Sequence, residues 1–329
     1  CDLRGYPKEL TAEIWRQIES FAGYSFSKAH SASYAVESFQ SLYLKAHYPL
    51  EFMVAVMNNF GGFYQTWVYA NEARRCGARI ELPCVNHSEM LNAIEGKTIY
   101  LGFALLSGLE DKTGNLIVGE RRRFGIFCSL DDFISRVPIH KEQITLLIRI
   151  GALRFTGKSK AKLLWEVHML LTRKRTIHVQ SQLFSPQRKP FILPLFEEKP
   201  LESVYDELEL LGFPVTLTFF QLLQTLWRSN IHANNLGEHE GETVKLLGLL
   251  VTIKYVRTTK AEVMHFGCFL DEYGEFFDTV HFPDSLREYP FKGRGVYLLL
   301  GKVTSEFGHP SIEIKKMAKM PLQGDPREK

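Results

Sequence analysis

The run TVKLLGLLVTIKYV, residues 243–256, is strand-like, dense in Val, Ile, Thr and Leu. VMHFGCFL at 263–270 continues in the same manner. Tyr273-Gly274 then marks a turn before FFDTVHF at 276–282. Asp284–Tyr289 leaves room for one helical turn, and Val296–Val303 and Ile312–Lys316 supply two more strands. Five short strands with a short helix between the third and fourth predict a barrel of the oligonucleotide/oligosaccharide-binding (OB) type. The pattern alone also fits another small β-barrel.

Upstream, the apolar period is helical. The first ~95 residues read as helices: Thr11 is placed to cap one with the stripe Ile14, Ile18 and Phe21. A second opens near Ser31 or Ser33 and runs through Tyr34, Phe39, Leu42 and Ala46 until Pro49 ends or kinks it. A third begins near Leu50. From Lys97 to about Thr172 the chain reads as mixed and mostly helical. Asp131 and Asp132 start one helix, Gln143–Ile150 form another closed by Gly151, and Lys158–Leu171 a third. Arg173–Pro200, with Pro186, Pro190, Pro194 and Pro200, reads as a linker. Short helices are expected at Glu202–Leu211 and Thr218–Trp227, and a polar boundary at Ala233–Glu242.

With 329 residues the chain is expected to hold two or three domains. No apolar run is long enough to span a membrane and no signal peptide is evident, so a cytoplasmic protein with no membrane partner is expected. Beginning at Cys1 and not Met, it is expected to be a fragment. Five scattered cysteines, without CxxC or HExxH, argue against a disulfide framework and a zinc site. Net charge is only +3, but it is unevenly placed. Between Gly151 and Pro190 lie Arg154, Lys158, Lys160, Lys162, Arg173, Lys174, Arg175, Arg188 and Lys189 against the single acid Glu166. The next stretch, Glu197 to Glu209, is acidic. The basic block suits a polyanion such as DNA; a charge run taken alone more often marks a solvated helix face.

The segment FAGYSFSKAHSASYA, residues 21–35, places a glycine-containing turn before a helix. Helix N-termini attract anions. Lys28, His30, Ser31 and Ser33 would make an anion pocket there, and Tyr24 could stack on a base. A simple cap with a surface lysine and a packed histidine satisfies the same residues. The longer run FAGYSFSKAHSASYAVESFQSLYLKAHYPLEFMVAVM resembles the fingers segment of the family C polymerases, the bacterial DNA polymerase III alpha subunits, in its GYxFxKxHSAxYA core and YLKAHYPxEFM tail. That resemblance implies contacts of Tyr24, Lys28 and His30 with the incoming deoxynucleoside triphosphate. Ser27 stands where family members often carry Asn.

The resemblance continues along the chain. Tyr100–Ala104 and Ser107–Glu110 are similar to the first half of the family's helix-hairpin-helix region, where a glycine hairpin, here at Gly108, offers backbone N–H groups to a DNA phosphate. Glu110 stands in place of a usual glycine. Leu147–Leu153 resembles the LIxxGAxD element, with Gly151 kept and Arg154 replacing the acid. Two helices packed through tight turns would account for both. Gln180-Ser181-Gln182-Leu183-Phe184 matches the QxxLF pattern by which the family docks on its sliding clamp, with Gln180, Leu183 and Phe184 as the contacts. In the β region most of Phe266, Phe269, Tyr273, Phe276, Phe277 and Phe282 are expected in the core, one or two at a binding face. Lys254, Arg257 and Lys260 would serve single-stranded DNA there.

The resulting expectation is a multidomain α+β chain: helical fingers and a helix-hairpin-helix region, then a C-terminal five-stranded OB-type β-barrel. Its parts are fingers (1–96), hairpins with DNA contacts at Gly108, Gly151, Lys158, Lys160 and Lys162 (97–172), clamp-binding linker (173–200), helical connector (201–239) and OB domain (240–329). Polymerase chemistry needs carboxylates holding two metal ions, and no DxD pair is present. The chain alone is therefore expected to be inactive and to bind no cofactor, with Mg2+ held in the palm of a parent enzyme. Expected partners are primed and single-stranded DNA, a deoxynucleoside triphosphate, the sliding clamp and other replicase subunits. The alternatives are a non-catalytic nucleic-acid- and clamp-binding module and a fragment of an error-prone family C polymerase.

Overall fold

The computed structural model describes residues 7–22, 28–59, 62–174, 200–258, 261–306 and 308–328. These fall into two compact units, Cys1–Phe52 and Met53–Lys329.

In the first unit lie α1 (Lys8–Ala22), α2 (Lys28–His47) and the start of α3 (Pro49–Asn58). Thr11 is not a cap. Good helix formers at Lys8, Glu9 and Leu10 start α1 earlier, and the Thr11 hydroxyl donates to the Pro7 carbonyl (3.2 Å). Likewise α2 begins at Lys28, before the expected Ser31. Pro49 opens α3, where its missing N–H costs nothing.

The second unit begins with a helical body: α4 (Thr66–Arg75), α5 (Asp111–Phe124), α6 (Leu130–Arg136), α7 (Lys141–Arg149), α8 (Lys160–Lys174) and α9 (Pro200–Leu211). The first 95 residues are not all helical. Strands β1 (Arg79–Glu81), β2 (Ala93–Glu95) and β3 (Thr98–Tyr100) form a sheet of order β1-β3-β2. At three residues each, they are too short to show a period of two. The cap of α6 is Ser129, whose hydroxyl accepts from the Asp132 N–H (3.1 Å). Phe103, Phe127, Phe133, Ile144, Leu147 and Leu163 centre this body's core.

The barrel comprises β4 (Thr243–Arg257), β5 (Val263–Leu270), β6 (Phe276–His281), α10 (Pro283–Glu288), β7 (Val296–Glu306) and β8 (His309–Lys319). It closes in the order β4-β5-β6-β8-β7, with β6 and β8 parallel and all other pairs antiparallel. This five-stranded barrel, with α10 between its third and fourth strands, is of the OB type. Phe269, Phe277, Tyr297, Leu299, Ile312 and Ile314 fill it. At Gly301 a Cβ would sit 2.3 Å from the Glu313 carbonyl oxygen, so only glycine allows β7 and β8 to approach this closely. Among the described residues no helix is long and apolar enough to cross a membrane.

The expected helix at Thr218–Trp227 is absent. Residues 218–224 form turns, and Leu223 bridges Leu322 in the C-terminal segment. Phe220 and Leu223 are thereby buried with Leu247, Leu249, Leu270 and Val296 of the barrel, against Trp67 of α4. Two further contacts hold α4 to the β5–β6 turn: Asn71 Nδ2 donates to the Gly274 carbonyl (3.0 Å), and Arg75 pairs with Glu275 (2.5 Å). Barrel and helical body thus share an apolar seam with polar ties at its edge.

Inside the barrel, Thr279 gives its hydroxyl proton to the Gly267 carbonyl (3.0 Å), leaving the His281 Nε2–H to donate to Thr279 Oγ1 (2.8 Å). Burial first, and the neighbouring His265 second, push the His281 pKa down to about 3. The unfolded chain, with a histidine near 6.5, binds the proton more readily. Stability is therefore full above about pH 6.5 and falls as pH drops toward 3. We predict a loss on the order of 4 kcal/mol between pH 7 and pH 3.5 from this group. His281→Gln should flatten that dependence in urea unfolding followed across pH. An unchanged slope in the variant would mean that another group carries it.

Candidate nucleic-acid interface

The first hairpin runs from Gly108, with φ +82°, to Glu110, the residue preceding α5. A phosphate bound here would use a free backbone N–H. The Glu110 N–H is already taken: it donates to Gln143 Oε1 (2.8 Å), while Gln143 Nε2 donates to the Gly108 carbonyl (2.9 Å). Gln143 is buried on α7, so its carboxamide closes the hairpin from within. Exposed carboxylates of Glu110 and Asp111 stand at the same helix end, where they suit the dipole and oppose a phosphate.

The second hairpin ends α7 with Gly151 at φ +76°. The Gly151 and Ala152 N–H groups return to the Ile148 (2.9 Å) and Leu147 (2.8 Å) carbonyls. Arg154 is structural: its guanidinium donates to the carbonyls of Pro83 (2.8 Å) and Leu82 (3.0 Å) and pairs with Glu81 (3.2 Å). Gly157, at φ +65°, turns the chain into α8. There Ser159 Oγ accepts from the Lys162 N–H (3.3 Å).

The three expected lysines have different surroundings. Lys158 pairs with Glu166 (2.6 Å) and Lys160 with Asp206 (3.1 Å). Lys162 is exposed and makes no ion pair among the described residues. Asp206 also accepts from Arg149 Nε (2.8 Å) and Arg327 Nη1 (2.8 Å), although its side chain is only 8% exposed. Arg149 additionally binds Glu209. Hydrogen bonding to Asp325, with the nearby Asp206 and Glu209 charges, holds the Arg327 pKa above its ordinary value. The acidic stretch thus folds onto the basic one.

On the barrel, register places Lys254, Phe266, Val280 and Glu313 in one row across β4, β5, β6 and β8. The same outward parity includes Cys268, Asp278 and Phe276, whereas Phe269 and Phe277 point inward. Phe266 is 40% and Phe276 37% exposed. Tyr273 and Phe282 are exposed too, so most of the six aromatics lie outside the core, contrary to expectation. Burial and Asp278 push the Cys268 thiol up to about 12, so it stays neutral. Asp278 is faced by His309 (3.3 Å). Arg257 is exposed and shares the opposite side of the β4–β5 ribbon with Tyr255 and His265.

In α2, His30 and Ser31 are exposed in the first turns, and His30 stands edge-on to Tyr34 (4.5 Å). Tyr24, Lys260, Gln180, Leu183, Phe184 and the Lys28 side chain lie outside the described residues. Among the described residues no group of three or more His, Cys, Asp or Glu side chains could hold a metal ion. Sequence reasoning read Asp206 only as part of the acidic stretch, and missed Gln143 and the exposed pair Phe63-Tyr64 on the α3–α4 connection. Only the last had a signal, Gly61-Gly62 ahead of two aromatics.

Residues 77–163 match a family model described as a helix-hairpin-helix motif. The chain is 30% identical over 292 residues to the DNA polymerase III subunit alpha of Aquifex aeolicus, an alignment covering 87% of this chain and 24% of that protein. It is 33% identical over 210 residues to the subunit of the same name from Thermus aquaticus, covering 61% of this chain and 17% of that one. The chain thus spans about a quarter or less of the length of these relatives. Among solved structures, a single-stranded DNA binding protein from Thermus aquaticus aligns with 25% of this chain and 41% of its own at 16% identity and a TM-score of 0.22. The barrel is identified by its own strand order.

The Asp206 cluster has a measurable consequence. Removing one member of a buried ion pair costs about 3–5 kcal/mol. Because Arg149, Lys160 and Arg327 remain a quarter to a third exposed, Asp206→Ala should cost the low end of that range or less. Lys160→Ala should cost much less, since two arginines still neutralise Asp206. Urea unfolding of the two variants tests the order; equal losses would remove Asp206 from the centre of the cluster.

Proposed function

We propose that this relative of the bacterial DNA polymerase III alpha subunit works as part of a cytoplasmic replicative DNA polymerase, holding DNA while metal-dependent chemistry takes place on residues outside this chain. The observation that carries the reading is the exposed Phe266–Phe276 face, beside Lys254, on an OB-type barrel fixed to a double-hairpin body. Stacking on such a face suits single-stranded template, because every base presents a π-surface. Duplex contact falls to the second hairpin and the start of α8, where Gly151 shapes the turn and Lys162 is available for a phosphate. Lys158 and Lys160, held by carboxylates, add local field more than direct contact. The first hairpin, with Gly108 closed by Gln143, contributes packing.

The same reading assigns Tyr24, Lys28, His30 and Ser31 to the incoming deoxynucleoside triphosphate. It assigns Gln180, Leu183 and Phe184 to the sliding clamp, with other replicase subunits completing the assembly. The two Mg2+ ions of polymerase chemistry would be held by carboxylates of the parent enzyme.

Two experiments follow. The whole chain should bind single-stranded DNA, and Phe266→Ala should weaken binding by about 1–3 kcal/mol. The salt slope should be shallow, about −0.7 for each phosphate neutralised, because the face offers few cations. Anisotropy titrations across salt measure both. Binding at full strength by Phe266→Ala would make the barrel structural only. Second, replacing Leu183 and Phe184 together by Ala should abolish an affinity of about micromolar strength for the clamp, roughly −8 kcal/mol, in surface binding. If the double variant still binds like the unaltered chain, the docking site is elsewhere.

A further inference from the structure

The connection between α3 and α4 carries Phe63 and Tyr64 on a fixed turn. The Tyr64 N–H donates to Tyr69 Oη (3.2 Å), and Gly62, at φ +110°, lies so close that a Cβ would sit 2.0 Å from that oxygen. Phe63 is 81% exposed, with its ring edge-on to Tyr64 (5.1 Å, 90°). Tyr64 leans toward Phe276, with ring centroids 6.5 Å apart. Burial first, and then its nearness to Cys268 and Asp278, raise its hydroxyl pKa. Cys268 and Asp278 form the row between Phe266 and Phe276. Those two phenylalanines are offset by four residues in register, about 13 Å along the strands. Tyr64 therefore adds an aromatic ring beside the interval between them, and Phe63 extends the series beyond the sheet.

We propose that single-stranded nucleic acid crossing the β5–β6 face continues onto the 62–65 turn, with Phe266, Tyr64 and Phe63 as successive stacking platforms. The inference rests on the reading of the barrel as a single-strand surface and adds to it a site supplied by the helical body. Phe63, Tyr64 and Phe276 adjoin one another, but a row holding the polar groups Thr252, Asp278 and Ser311 separates them from Phe266, so the rings do not form the single continuous apolar patch that a protein partner would cover. Asp278 lies against His309 (3.3 Å), and Glu275 and Glu72 share Arg75 (2.5 and 2.8 Å). With few cations on this face, stacking is the interaction it has to offer, and it tolerates any base.

The test is anisotropy of the whole chain with labelled oligothymidylate of about 16 nucleotides, the upper site size of one OB fold. Phe63→Ala should weaken binding about 5- to 150-fold with thermal unfolding unchanged, because the side chain is solvent-exposed. Phe63→Trp should restore binding. If Phe266→Ala weakens binding and Phe63→Ala does not, the strand stays on the barrel; the inference falls while the single-strand reading stands. If the unaltered chain does not bind at micromolar concentration, or neither substitution matters, the single-strand reading falls and takes the inference with it.

Discussion

Three cations converge on one carboxylate. Asp206 of α9 receives Arg149 from α7, Lys160 from α8 and Arg327 from the C-terminal segment that returns from the barrel. Such a cluster adds little net stability, because desolvating four charges offsets much of their attraction. Its larger effect is on geometry, since any displacement of one element strands a buried charge. Together with the apolar seam of Phe220, Leu249, Leu270 and Val296 against Trp67, it fixes the hairpins and the barrel in one arrangement. The same cluster removes Lys160 from the pool of cations open to DNA.

The barrel was legible because its strands carry unbroken β-favouring runs between clear turns. Val263–Leu270 has the ends expected for it, and β7 and β8 differ by extending three residues further at one or both ends. The closing β4–β7 pair and the parallel β6–β8 pair were not legible, since no local pattern records a partner far along the chain. The β1–β3 sheet escaped for a different reason, having only three residues per strand. At Thr218–Trp227 an apolar spacing suited to a helix was overridden by tertiary pairing with Leu322.

Of the candidate interface, glycine positions and cation positions could be read, but their availability could not. Gly108 adopts the left-handed turn its motif demands, yet the neighbouring Glu110 N–H is satisfied by Gln143, 33 residues away. The basic block and the acidic stretch after it were visible as adjacent composition; the pairing of Lys160 with Asp206, and of Arg149 from outside the block with Asp206 and Glu209, depends on how the helices fold together. The Phe63-Tyr64 turn gains meaning only because α4 is bound to the β5–β6 turn through Asn71 and Arg75.

If hairpins and barrel form one body, a DNA carrying both a duplex and a single-stranded overhang should engage the two surfaces at once. The second contact then becomes intramolecular and raises affinity by about 10²–10⁴ over either part alone. The direct measurement is the Kd of the whole chain for a duplex with a single-stranded 5′ extension, beside those for the duplex and the single strand separately, at one salt concentration. The account predicts much the tightest binding to the junction. Equal affinity for the junction and its better component would contradict it.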